Sequence, residues 1–466
     1  MLAIPGIIAL VVFIYARPQE FFERLRVVPL LYLFFALAVF GMVLDVRVGN
    51  SRLRAAPQLP WVVAFFLWAA LTVLIQAPGA AVEHVTSLSI CVALFLLIAH
   101  GVQSFRALHL VAAAVLAMVL FVCGVGAQQG FADTGCVVVD ESVVGDNASG
   151  RPDGRPCVTP RNCYTGEAEP GAEYQCERIG LFGTTSIGHG RVRYRGVLQD
   201  PNELALAGGI GLPLAFAFGQ VEKRALGRRL LGAVSFLLVL VCAVLTASRG
   251  GQLVFLAVLA AYFVNRVGIK GLLLGAVLAL PLLLLGGRGG EDASSSTIER
   301  IDCWAEAVSV FRAHPFLGVG LGQFTEYHYM TAHNSYLLAA AELGFPGILL
   351  FGAILYLSAK IPVTALSHLK QTTIPELLAG APLTRAWAVA LIAAFIGLGV
   401  GIFFLSFTYH YVLWIYIGLA GALYSAIRKH DPTFRVRLSG VDFAMIAAAS
   451  VAIIVFVFFY TRWKLG

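Results

Sequence analysis

Charge is what this sequence has least of. Asp, Glu, Lys and Arg together make up 13% of its 466 residues, 59% are hydrophobic, and the mean hydropathy is +0.83. That balance excludes an ordinary soluble domain. Other absences narrow the chemistry. The chain has no glycine-rich nucleotide fingerprint, no internal repeat and no low-complexity tract. It also has no acid-rich or His/Cys cluster suited to a divalent metal, so neither a metal site nor a cofactor is expected, and nucleic acid is not an expected partner. The first apolar run has neither a basic leader nor a small-residue cleavage site, so it reads as a retained span rather than a signal peptide.

What is there is a series of apolar runs bounded by charges or Gly/Pro. They fall at 2–15, 28–44, 59–76, 85–100, 108–126, 203–219, 230–246, 251–264, 269–285, 336–357, 387–405, 412–427 and 443–460. The expected fold is all-α, a polytopic transmembrane bundle of about 12–13 spans, because only helices and closed barrels satisfy their backbones in lipid. Barrel strands would be short and alternating, and these runs are neither. With the N-terminus in the cytoplasm, the inside loops become basic: Arg47, Arg52 and Arg54; Lys223, Arg224, Arg228 and Arg229; Arg266 and Lys270; Lys360 and Lys370; Arg428, Lys429, Arg435 and Arg437. The long polar segments 127–200 and 287–334 then lie outside. With thirteen spans, Arg462 and Lys464 would also be outside, a mild violation of the same rule. The chain divides into N-terminal spans (1–126), a cysteine-bearing outer loop (127–195), spans with arginine motifs (196–286), a second outer loop (287–334) and C-terminal spans (335–466). The inside loops are too short for a catalytic domain, so chemistry is expected at the outer face, without cytoplasmic ATP or sugar nucleotides.

Four of the eight cysteines, Cys136, Cys157, Cys163 and Cys176, fall in the first outer loop. Their spacing contains no C-x₂-C pair, which favours two disulfides over zinc. Three pairings are open. Cys91, Cys123 and Cys242 lie within spans, and Cys303 is left over in the second outer loop.

The polar residues collect at span ends on one side. Arg191, Arg193 and Arg195 precede Asp200-Pro201-Asn202-Glu203, which reads as an N-cap, a first-turn proline and a capping-box glutamate. The arginines have no such structural explanation, and a basic run ahead of a helix N-terminus suits an anion. Ser248-Arg249-Gly250 forms a tight turn between two spans, where Arg249 could serve only as a headgroup anchor. Arg300 and Trp304 lie in a stretch, 298–311, with helical periodicity suited to a membrane surface, and Gly318, Gly320 and Gly322 follow. His333 then precedes Asn334 or Ser335 as a helix cap, with Glu342 and Gly344 further on. In a regular helix, nine residues would put Glu342 about 900° round from His333, on the opposite side. Guanidinium forks match phosphate oxygens, and histidine can take a proton from an attacking hydroxyl.

In this order, Arg195-Gly196 with Asp200-Pro201-Asn202, Ser248-Arg249-Gly250, Arg300 with Trp304, Gly318-Val319-Gly320 and His333-Asn334 with Glu342 and Gly344 resemble the O-antigen ligase and O-antigen polymerase superfamily. The resemblance spans roughly residues 190–350. It implies transfer of a glycan from a polyprenyl-diphosphate carrier, inverting and independent of metal, by a multi-pass protein of the bacterial inner membrane with a periplasmic active site. It places the two diphosphate-binding arginines on Arg195 and Arg249, with Arg193 competing for the first place and Arg300 a further candidate. The catalytic histidine falls on His333, supported by Asn334, Glu342, Asp200 and Asn202. The implied partners are the lipid-linked donor, a lipid- or glycan-linked acceptor and the bilayer. A protein acceptor shares the same donor chemistry. Family members place their main outer loop just before the histidine; this chain adds a long cysteine-bearing loop ahead of Arg195. From another class, a secondary transporter or flippase of polysaccharide precursors would bury charges near the bilayer midplane or break helices there. The one-sided clustering of Glu203, Arg249, His333 and Glu342 favours an interfacial enzyme.

Overall fold

The computed structural model describes residues 1–52, 54–139, 150–166, 168–188, 190–221, 225–285 and 290–465. Lys223 and Arg224 of the expected basic loops, and 140–149 and 286–289 of the polar segments, lie outside those residues. The protein is a polytopic helical bundle. The helices, in chain order, are α1 (Ala3–Ala16), α2 (Leu30–Arg47), α3 (Leu59–Gln76), α4 (Ala81–Gly101) and α5 (Phe105–Gln129). Three strands follow, β1 (Thr134–Val138), β2 (Arg151–Pro156) and β3 (Tyr174–Arg178). Then come α6 (Pro201–Val221), α7 (Ala225–Leu245), α8 (Arg249–Val267), α9 (Gly271–Leu285) and α10 (Gly290–Ala313). The chain ends with α11 (Ser335–Leu369), α12 (Pro375–Ala379), α13 (Ala381–Gly401), α14 (Tyr411–His430) and α15 (Gly440–Leu465).

Among the described residues, eleven stretches are long and apolar enough to cross a membrane. One of them, Arg249–Leu280, is two helices, because the chain turns at Gly268 with φ 74°. Close approaches of Gly271 to Phe263 and of Gly275 to Ala260 then run in opposite directions along α8 and α9, so the two form an antiparallel hairpin. With the shorter α1 this makes thirteen apolar helices, at the positions the hydropathy predicts.

The chain forms two compact units, and the division falls within α1, α2 and α5. The first contains residues 1–7, 36–112 and 289–466. Its innermost helix is α14, buried almost throughout, with Gly418 against Ile98 and Gly421 against Ala99 of α4. On α10, Ile301, Trp304, Val308 and their neighbours form a buried stripe at helical spacing, and Trp304 meets Phe403, Phe404 and Tyr460 edge-on or tilted.

The second unit contains residues 8–35 and 113–288. Its centre is α6, where small residues let neighbours come close: Gly208 meets Cys123 and Val239, Gly211 meets Val119, and Gly209 meets Val254. The expected loop after α5 carries a small sheet that the all-α reading did not include. Its order is β2-β1-β3, all antiparallel, with Cys136 opposite Cys176. The pairing left open by spacing resolves as Cys136–Cys163 and Cys157–Cys176. Three of these sulphurs lie close enough to hold a metal, but all are committed to disulfides. The four cysteines and Tyr174 are nearly the whole core of the sheet, so covalent staples replace an apolar face.

Candidate active site

The first polar constellation belongs to the second unit. Asp200 caps α6 as its sequence predicts: Oδ1 accepts from the Asn202 backbone at 2.7 Å, while the Asp200 N–H reaches back to Glu203 at 3.4 Å. The Asn202 side chain also donates to Asp200 at 2.7 Å, which leaves its own oxygen to accept from Ser248 Oγ at 2.6 Å. Ser248 in turn caps α8 by accepting from Gly251 N at 3.0 Å. Two short motifs 46 residues apart are thus one hydrogen-bonded unit that sets the start of both helices. Gly251 is required there, because a Cβ would come 2.4 Å from Ala205 of α6. Arg249 projects from this junction and is exposed.

Arg191, Arg193 and Arg195 have different fates. Arg191 Nε donates to the Thr246 carbonyl at 3.0 Å and ties the segment to the turn before Arg249. Arg193 is 3% exposed, with Nε on Thr185 O at 3.0 Å and Nη2 on Thr185 Oγ1 at 3.3 Å; burial pushes its guanidinium down to about 10. Arg195 reaches the carbonyls of Glu20 and Gly183, and the Phe21 ring lies 5.4 Å from its guanidinium. Burial lowers its pKa too. Arg193 and Arg195 both line a cavity of about 400 Å3, and neither Arg249 nor Arg191 is part of that lining. The cavity's other arginines, Arg17, Arg26 and Arg151, were missed in the sequence, although Arg17-Pro18 directly ends the first apolar run.

The second constellation belongs to the first unit. Asn334 caps α11, accepting from Tyr336 N at 3.0 Å and Leu337 N at 3.1 Å. Ser335 instead holds the 402–408 segment: its N–H donates to Ile402 O, its hydroxyl to Leu405 O, and it accepts from Phe407 N. His333 is half-buried and stands outside the helix with φ 45°, a left-handed conformation uncommon for a residue with a side chain. Its neighbours fix that backbone. Ala332 is fully buried, Thr331 bonds Ser406 at 2.8 Å, and Asn334 is fully buried as the cap. Strain of this sort persists where the surroundings over-determine it, and it collects at functional sites.

Beyond the cap, α11 is broken. Gly344 has φ 67° inside the helix, and a Cβ there would lie 2.1 Å from Phe316 O. The carbonyls freed by the break find partners from outside the helix. Val319 N donates to Ala341 O, Gly320 N to Glu342 O, and Trp68 Nε1 to Leu343 O. Pro315 O takes the Phe345 N–H, and Pro346 stands early in the restarted helix where no N–H is needed. The glycine run 318–322 is therefore a clamp on the break, held from the other side by Gln76 Nε2 on Gly318 O at 2.9 Å. Glu342, 3% exposed, accepts from Phe324 N at 3.2 Å and faces Tyr409, whose phenol is pushed up by burial and by that carboxylate. The rotation argument separating Glu342 from His333 does not apply, because the chain is not helical at His333. Arg300 is half-buried on α10 near Cys303, whose thiol is pushed up to about 12, first by burial. Trp68, Gln76 and Tyr409 had no signal in the sequence; each acts through a contact distant in the chain, 275 residues away for Trp68 and 242 for Gln76.

Residues 234–352 match the family model described as "O-Antigen ligase". That segment is similar to an O-antigen ligase domain. It contains Arg249, Arg300, His333, Asn334 and Glu342, and so supports the O-antigen ligase superfamily for a multi-pass membrane protein. No curated protein matches the chain significantly.

Proposed function

We propose that this O-antigen ligase-like protein transfers a glycan from a polyprenyl-diphosphate carrier to an acceptor hydroxyl at the periplasmic face of the inner membrane. The observation that carries the reading is the family match over 234–352, which spans Arg249, the broken helix and His333 in one segment. The acceptor oxygen bonds to the anomeric carbon as that carbon's bond to the diphosphate oxygen breaks, with inversion. The acceptor's proton passes to His333. The electron pair stays on the departing diphosphate, whose charge Arg195 and Arg249 meet. Arg193 is committed to Thr185, which favours Arg195 over it for this role. Asn334 and Ser335 hold His333 in place, Glu342 holds the glycine clamp, and Asp200 and Asn202 hold the turn that bears Arg249.

The break at Gly344 is a feature that favours a transport reading. Against it, 345–369 is about 37 Å of helix at 1.5 Å per residue, enough to span the ~30 Å core by itself. Transfer in proteoliposomes, with carrier-linked glycan, acceptor and no nucleotide, tests the reading. Translocation of the carrier without transfer to any lipid, glycan or protein acceptor would reject it.

A further inference from the structure

The cavity of the second unit holds more positive charge than the resemblance assigns to it. Its lining brings five guanidinium groups, from Arg17, Arg26, Arg151, Arg193 and Arg195, around one carboxylate, Glu20. All five lie outside the matched family segment, and two of them come from the connection between α1 and α2. That connection is fastened to the wall opposite. Tyr194 donates to Ala16 O at 2.8 Å, Phe21 packs on Tyr194 and Phe182, and Arg195 donates to Glu20 O at 3.2 Å.

Arg17 is placed with particular care. It has φ 49°, and its side chain lies against Gly196, where a Cβ would come 2.1 Å from Arg17 Nε. Gly196, itself at φ 59°, thereby lets the guanidinium into the cavity. Arg17 Nε faces Glu20 at 3.2 Å, while among the described residues its two terminal nitrogens make no hydrogen bond. Arg195 is oriented by backbone carbonyls and an aromatic ring, and Arg193 is spent on Thr185. The cavity therefore offers a fixed arginine, a structural arginine and a third one held by an exchangeable carboxylate.

We propose that the α1–α2 connection is part of the donor site, and that Arg17 binds a phosphate of the lipid-linked diphosphate with Glu20 as its counter-ion while the site is empty. The diphosphate is the stronger partner overall, because its two phosphates together carry two negative charges against one on Glu20 and offer more oxygens to guanidinium forks. Binding then transfers Arg17 from Glu20 to the ligand, and Arg26 adds a second positive group. This rests on the proposed donor chemistry.

The test uses the full-length purified protein in detergent, with inorganic pyrophosphate and farnesyl diphosphate as probes and phosphatidylglycerol as a competitor. Arg17→Gln is expected to weaken binding of both diphosphates about ten-fold or more, and Arg17→Lys less. Glu20→Gln is expected to bind as tightly as the parent or several-fold tighter, because Arg17 no longer has a competing anion. A purely structural pair would make both variants weaker together, and that result overturns the proposal. So does an Arg17→Gln variant within two-fold of the parent, or displacement of the diphosphates by equal phosphatidylglycerol. If Arg17→Gln fails to fold, Glu20→Gln still decides by the sign of its effect. Parent protein that binds diphosphate with this signature but transfers no glycan would keep the anion site and sink the transfer reading. Transfer that survives Arg17→Gln with unchanged KM and kcat would do the reverse.

Discussion

At His333 the backbone carries information that the side chain alone does not. A left-handed conformation costs a residue with a Cβ about 1–2 kcal/mol, and here the flanking residues are each pinned by burial or hydrogen bonds. His333→Ala is expected to lower the single-turnover transfer rate by about 10²–10⁴-fold while donor affinity stays near that of the parent. His333→Gly should lose as much rate, yet melt no lower than His333→Ala, because glycine adopts that backbone without strain. A rate within a few-fold of the parent at every pH would remove His333 from the chemistry. For Arg249 the comparison is with lysine. Arg249→Lys keeps the charge and loses the planar fork, so most transfer should disappear while the protein still inserts. Near-parent turnover would leave Arg249 an anchor at the headgroups.

At the scale of elements, α11 is two pieces whose junction is satisfied by the glycine clamp. A side chain at Gly344 would require φ 67° and would collide with Phe316 O, and Gly318 meets Glu342 in the same way. Gly344→Ala is therefore expected to destabilise the protein by about 1–3 kcal/mol or more, read as a lower melting temperature and a poorer yield. An alanine variant as stable as the parent would mean the break is not obligatory. The sequence showed this element only in part. Its apolar run, its cap and its proline were legible, but a glycine followed by Phe-Pro-Gly inside an apolar stretch does not reveal a break until the carbonyls of 341–343 are seen bonded to 319, 320 and Trp68. The sheet was illegible for a different reason. β2 reads Arg-Pro-Asp-Gly-Arg-Pro, with no alternation, and its prolines are tolerated because it is an edge strand stapled through its neighbours.

At the scale of the whole molecule, side-chain contacts constrain the topology. Gln76 closes α3 and bonds Gly318, so an even number of crossings separates them. Counting α4, α5, α6, α7, α8 and α9 as crossings satisfies this; treating Arg249–Leu280 as one span does not. Likewise Arg17 after one span and Arg195 after five share a cavity, as they must if both lie on one face. The positive-inside rule predicts that face to be the outer one. In intact cells, membrane-impermeant thiol reagents should label Cys136, Cys157, Cys163 and Cys176 only after reduction; labelling confined to inverted vesicles would reverse the orientation.

The span positions, the membrane class, the loop disulfides as a pair of unknown connectivity and the order of the polar motifs were all determined by the sequence itself. Each is a local signal. The length of an apolar run is set by the thickness of a bilayer, and a cap by the few residues around a helix end. The disulfide pairing, the left-handed His333, the break at Gly344 and the meeting of Arg17 with Gly196 were decided only by tertiary structure. Each of these depends on which distant backbone comes within a few ångströms, and packing alone settles that.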